Sequence, residues 1–168
     1  MRRTFAAAIG AVSVAAVLSG AGLAAASAGP ARPAGPAIEH FRGMTTSIPG
    51  SRPIIMIATG VFTAGGVDII TSATTDIFKF PGGTIKVRHH AVRSTQTFSS
   101  RTCLLTASER GTYKLTGGTG RYSRISGSGT YALSILAVLA RNSKGKCSMA
   151  LTPAATQLIL NLQGPVNL

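Results

Sequence analysis

From Ile54 to Leu162 the chain is a succession of short apolar or alternating runs, each stopped by glycine, proline or asparagine. Ile54 to Thr63 ends at Ala64-Gly65-Gly66, Val67 to Thr75 follows, and Ile77 to Phe80 leads into Pro81-Gly82-Gly83. Pro81 and Gly82 suit the central positions of a type II turn, because proline presets its own φ and glycine accepts the positive value required next. Ile77 to Phe80 and the return run Thr84 to Val92 therefore predict a hairpin. Thr95 to Phe98, Cys103 to Ala107, a strand around Tyr113, Tyr131 to Leu139, Cys147 to Leu151 and Gln157 to Leu162 continue the series. Many short strands with turns between them predict an all-β sandwich or barrel. Periodicity leaves a buried helix open at Tyr131 to Ala140. The β-branched Ile135 and Val138 and the turn residues Asn142 to Gly145 favour a strand there.

The densest stretch is GTYKLTGGTGRYSRISGSGTY, Gly111 to Tyr131. Thr112 to Thr116 alternates, setting Tyr113 and Leu115 on one side of a strand and Lys114 on the other. Gly117, Gly118 and Gly120 then supply a sharp corner, and Gly127 and Gly129 precede the apolar run that begins at Tyr131. The core Y-x-L-x-G-G-T-G-R-Y with its following G-S-G resembles the glycine signature of allene oxide cyclase and dirigent-type β-barrels. It is most similar to secreted actinobacterial proteins with an allene-oxide-cyclase-like barrel domain. FKFPGGTIKV, Phe78 to Val87, adds to the resemblance, which extends more loosely over Ala58 to Leu162. It implies a single closed or nearly closed antiparallel barrel of about eight strands, with the matched glycines as fold markers. The catalytic acids of the plant enzymes have no counterpart that can be placed on this chain, so no catalytic role is carried over.

Before the strands, Arg2 and Arg3 lead an uncharged, alanine-rich run from Phe5 that closes on Ala26-Ser27-Ala28, a small-residue cleavage pattern. This predicts a secretory signal peptide over residues 1–28; an uncleaved membrane anchor is the alternative. Residues 29–51 are expected to be a mobile tail rich in proline, glycine and alanine, and residues 52–168 the barrel domain. After residue 28, fifteen Lys and Arg stand against only Glu39, Asp68, Asp76 and Glu109. Such a surplus attracts anionic wall polymers or lipid headgroups, and the absence of tryptophan or of a dense basic helix argues against specific nucleic-acid binding. Cys103 and Cys147 are the only cysteines. In an exported chain they predict a disulfide, with a reactive thiol the weaker reading because no Cys-x-x-Cys or Cys/His spacing is present.

His89 and His90 cannot share a metal ion across one strand, since neighbouring residues point to opposite faces. His89 falls in phase with Ile85 and Val87, so one of the two faces the interior. His89, Asp68 and Tyr113 are the candidate catalytic or anchoring groups, although a surface position is the default for Asp68. No nucleophile elbow, phosphate loop or dinucleotide fingerprint is visible, and neither metal nor cofactor is expected. Two functions of different class follow. The preferred one is a binding module that holds a small apolar or amphipathic ligand against Tyr113, Leu115, Tyr131 and Leu133. The other, motivated by the resemblance alone, is a cofactor-free isomerase of cyclase or dirigent type that steers a reactive intermediate. Small residues such as Ala132, Ser134 and Ala137, with the glycines of the corner, place the expected mouth of the barrel at the corner end.

Overall fold

The computed structural model describes residues 37–48 and 50–168. The expected signal peptide and the start of the expected tail lie outside these residues. Eight strands close into an antiparallel barrel in simple chain order: β1 Ile38–Thr45, β2 Ile54–Thr59, β3 Ala64–Ile70, β4 Thr75–Phe80, β5 Gly83–Ser99, β6 Leu104–Gly118, β7 Ser126–Val138 and β8 Ala155–Asn167. β8 returns to β1, pairing Ile38 with Pro165 and Met44 with Ile159, so no edge is left unpaired.

Three expectations need correction. Residues assigned to the mobile tail form β1, whose inward face is Glu39, Phe41 and Gly43. A buried glutamate and a glycine on the core side erase the hydrophobic alternation that would reveal a strand. Second, the runs around residues 84–98 and 103–116 are not four strands but two long ones, β5 and β6, joined by the turn at residues 100–103. They overhang the barrel, so both faces of β5 beyond His90 meet solvent and the apolar signal lapses within a continuous strand. Third, residues 147–151 are no strand; Cys147 makes only an isolated bridge with Arg141. Tyr131 to Val138 is strand, not helix.

The hairpin at Pro81-Gly82 forms as expected, with Phe80 paired to Gly83 and Gly82 at φ 89°. Cys103 and Cys147 form a disulfide, their Cα atoms 5.3 Å apart. It ties the β5–β6 turn to the segment between β7 and β8. The inner wall alternates strictly along β2: Ile54, Met56 and Ala58 are buried while Ile55 and Ile57 are 61% and 52% exposed. With Met44 and Ile69, these two give the outer wall of β1–β3 an apolar face.

Candidate ligand-binding site

The two ends of the barrel are built differently. At the end of the glycine corner, Gly118 closes β6 and a single 3-10 turn, Gly120–Tyr122, folds the chain back. Gly120 sits at φ 59°, and a Cβ there would lie 2.0 Å from the Gly82 carbonyl oxygen, so only glycine fits. The turn lays Tyr122 across the barrel end, fully buried, with its hydroxyl 3.4 Å from the Pro81 carbonyl. Its ring meets Phe62 at 5.1 Å and Phe80 at 6.1 Å, and Phe41 and Phe78 pack beneath at 5.3 Å from each other. These rings fill the lumen. The corner therefore makes a plug, and the expectation of a mouth beside it is overturned.

At the opposite end the inner wall is aliphatic, and a cavity of about 230 Å³ remains. Leu133 and Ile135 of β7 and Leu158, Leu160 and Leu162 of β8 form one side, with Ile54 and Val87 opposite and Ser72 and Ala73 of the β3–β4 loop also on its wall. Polar groups from five consecutive strands converge on it: Asp68, Asp76, His89, Glu109 and Tyr131. Each shares a phase with core neighbours. Asp76 alternates inward with Phe78 and Phe80, His89 with Ile85 and Val87, Glu109 with Gly111 and Tyr113.

Four of the five polar groups fall into two pairs. His89 Nε2 lies 3.3 Å from Asp76 Oδ2. Tyr131 donates its hydroxyl to Glu109 Oε1 at 2.6 Å, and Ser94, brought round by a bulge between Ala91 and Arg93, donates to Glu109 Oε2 at 3.3 Å. The His89 and Tyr131 rings join the pairs edge to face, 5.6 Å apart. Gly111, opposite Tyr131, makes room: a Cβ there would stand 2.6 Å from the tyrosine ring. Oδ1 of Asp68 and Oδ1 of Asp76 are buried with no hydrogen-bond partner. Burial, reinforced by the neighbouring Asp76 charge, pushes the Asp68 carboxyl up to about 8. Burial also raises Asp76, partly opposed by His89. Desolvation and the bond to Glu109 raise the Tyr131 phenol.

Of the residues singled out from sequence, His89, Asp68, Tyr131 and Leu133 line this cavity, whereas Tyr113 and Leu115 belong to the packed core. Asp68 is interior, 1% exposed, against the surface default. The Tyr113 hydroxyl is buried without a partner, and burial raises it to about 12. Glu39, also raised by burial, is bonded to the Phe62 amide at 3.0 Å on the plugged side. Asp76 and Glu109 were missed, although their phase with Phe78 and Tyr113 marks them as inward. Among the described residues no group of three or more His, Cys, Asp and Glu is arranged to hold a metal ion. On the outer wall, an open groove is flanked by Arg42, Arg93 and Arg110. Compared with protein-family models, curated proteins and solved structures, the chain finds no match.

Proposed function

We propose that this is an exported barrel of the allene oxide cyclase and dirigent type that binds one small amphipathic molecule in the cavity opposite the glycine corner. The observation that carries the binding reading is the combination of an unfilled aliphatic wall with buried carboxyl oxygens that have no partner. Natural cores fill apolar space and satisfy buried polar atoms, and failure of both rules in one place is characteristic of a site awaiting a ligand. An engineered apolar cavity of about 150 Å³ admits benzene, so this one has room for a ring with a short chain or for a short alkyl chain. The disulfide is compatible with the oxidising compartment an exported chain meets, and the Ala26-Ser27-Ala28 pattern is what motivates cleavage after Ala28. Intact mass of protein recovered from medium tests it; a secreted species still beginning at Met1 contradicts cleavage.

Binding is tested by calorimetric titration of the disulfide-bonded protein with 4-butylphenol, a ring with a short chain, beside a Leu160→Trp variant that fills the cavity. Saturable binding lost in the variant is the expected result. Binding that survives the filled cavity moves the site to the apolar outer face, and no binding at all removes the reading.

A second reading is favoured by Asp68. A carboxyl held protonated near neutrality beside an Asp76–His89 pair is equipped for proton donation and return, as a cofactor-free isomerase requires. Turnover that disappears in Asp68→Asn while binding persists distinguishes it from simple binding. The arginine groove gives the basic exterior a defined place for anionic polymer or headgroups; salt-insensitive adhesion, or adhesion retained in Arg42→Ala/Arg110→Ala, would exclude it.

A further inference from the structure

The chain contains four carboxylates and seventeen lysines and arginines, and every one of the four carboxylates is turned into the barrel. Solubility and steering would distribute acids over the outside. Glu39 accepts from the Phe62 amide through Oε2 and, although its Oε1 is also unpartnered, it stands on the plugged side and does not line the cavity. The other three stand around the cavity, Asp68 on β3 beside Asp76 on β4, and Glu109 on β6 beyond the intervening β5. Glu109 is satisfied by Tyr131 and Ser94. Asp68 and Asp76 are not: they are 1% and 9% exposed, and each keeps a buried, unpartnered Oδ1.

What these oxygens lack is a cation. Among the lining residues there is no lysine or arginine, and His89 reaches only the other oxygen of Asp76. Of the remaining strands, β7 contributes Tyr131 as its polar group, β2 and β8 contribute aliphatic side chains, and the Glu39 carboxylate of β1 is bonded within the plug. A buried carboxyl with no positive neighbour keeps its proton or takes up a cation from outside, and the cation that also covers the aliphatic wall gains twice.

We propose that the cavity's occupant is a lipophilic amine, bound as its ammonium ion with N–H groups donated to Asp68 Oδ1 and Asp76 Oδ1 and its hydrocarbon part against Leu133, Leu158 and Leu160. This rests on the ligand-binding reading of the same cavity and adds the chemical class. An ammonium arriving beside Asp68 replaces the proton that burial holds there, so binding near neutral pH releases a proton to solvent.

The experiment is calorimetric titration of the disulfide-bonded protein with octylamine, octanol and octanoate, which share one hydrocarbon chain and differ in charge. Octylamine is expected to bind about tenfold or more tighter than octanol, the scale of one charge-assisted hydrogen bond, with octanoate weakest. Repeating the octylamine titration in buffers of different ionisation enthalpy is expected to reveal proton release. In Asp68→Asn the amine preference falls to within about threefold while octanol still binds, which also reports that the variant is folded. Octanol binding as tightly as octylamine, no proton release, or an amine preference unchanged in both Asp68→Asn and Asp76→Asn overturns the amine proposal and leaves the cavity as a site for neutral ligands. Failure of all three compounds to bind overturns the amine proposal and the ligand-binding reading together.

Discussion

The plugged end and the open end are made by the same strands with opposite chemistry. Around the plug, Phe41 and Phe80 reach inward far enough to meet Phe62, and Phe80 meets Tyr122, two rings that the connecting loops fold over the lumen, while Phe78 packs against Phe41 and Phe80. Around the open end the inward residues are leucines and isoleucines, too short to meet across the barrel, together with carboxyls that repel one another and resist desolvation. That end is held covalently instead, by the disulfide between the overhanging β5–β6 turn and the segment before β8. The contrast assigns close packing to one end and leaves the other with unfilled apolar space beside unpartnered carboxyls, the arrangement expected when solvation costs are retained for a function.

Substitutions at the two ends should therefore differ in cost. The largest loss is expected from Tyr122→Ala, about 3–5 kcal/mol in denaturant unfolding, because it empties the centre of the plug. A loss under about 1 kcal/mol would mean that the rings do not seal that end. Reduction of Cys103–Cys147, which spans 44 residues, follows with a ceiling of about 4 kcal/mol from loop closure and a smaller value if the reduced chain retains structure. Asp68→Asn gives a loss or gain that depends on pH. The folded chain holds the Asp68 proton up to about 8 while the unfolded chain releases it near the ordinary 3.8, so folding takes up a proton in that window and stability falls as pH rises through it. The variant lacks this fall, and its unfolding midpoint relative to the native chain should climb by the equivalent of a few kcal/mol between about pH 4 and about pH 9. A difference independent of pH would show that Asp68 is not buried as its acid. The smallest effect is expected from Leu160→Ala, about 1 kcal/mol, since this leucine already borders empty space and little packing remains to be lost.

Much of the barrel was legible because short strands write their phase into the chain. His89 could be placed with Ile85 and Val87, and the same rule applied to Asp76 with Phe78 and to Glu109 with Tyr113 would have assembled most of the polar cluster. β1 was hidden for the reason that makes it interesting: its inward face carries Glu39, and a buried carboxylate reads as surface. β2 was visible as a strand but not in phase, because Ile54 to Ile57 are apolar on both faces. The position of the mouth was not legible at all. Small residues at the corner suggested an opening, yet glycine at 118 and 120 serves to turn the chain sharply enough for Tyr122 to cover the lumen, a consequence of three-dimensional closure that spacing does not express.

The division of labour between the ends is tested most directly by methyl-resolved NMR during titration with octylamine, or with 4-butylphenol should the amine fail to bind. The expected outcome is saturable shifts at Leu133, Leu158 and Leu160, with the plug-side Ile125 and Val166 and the outer Ile55 and Ile57 unmoved. Shifts centred on Ile125 and Val166, or confined to Ile55 and Ile57, would contradict it by placing the ligand at the sealed end or on the outer wall.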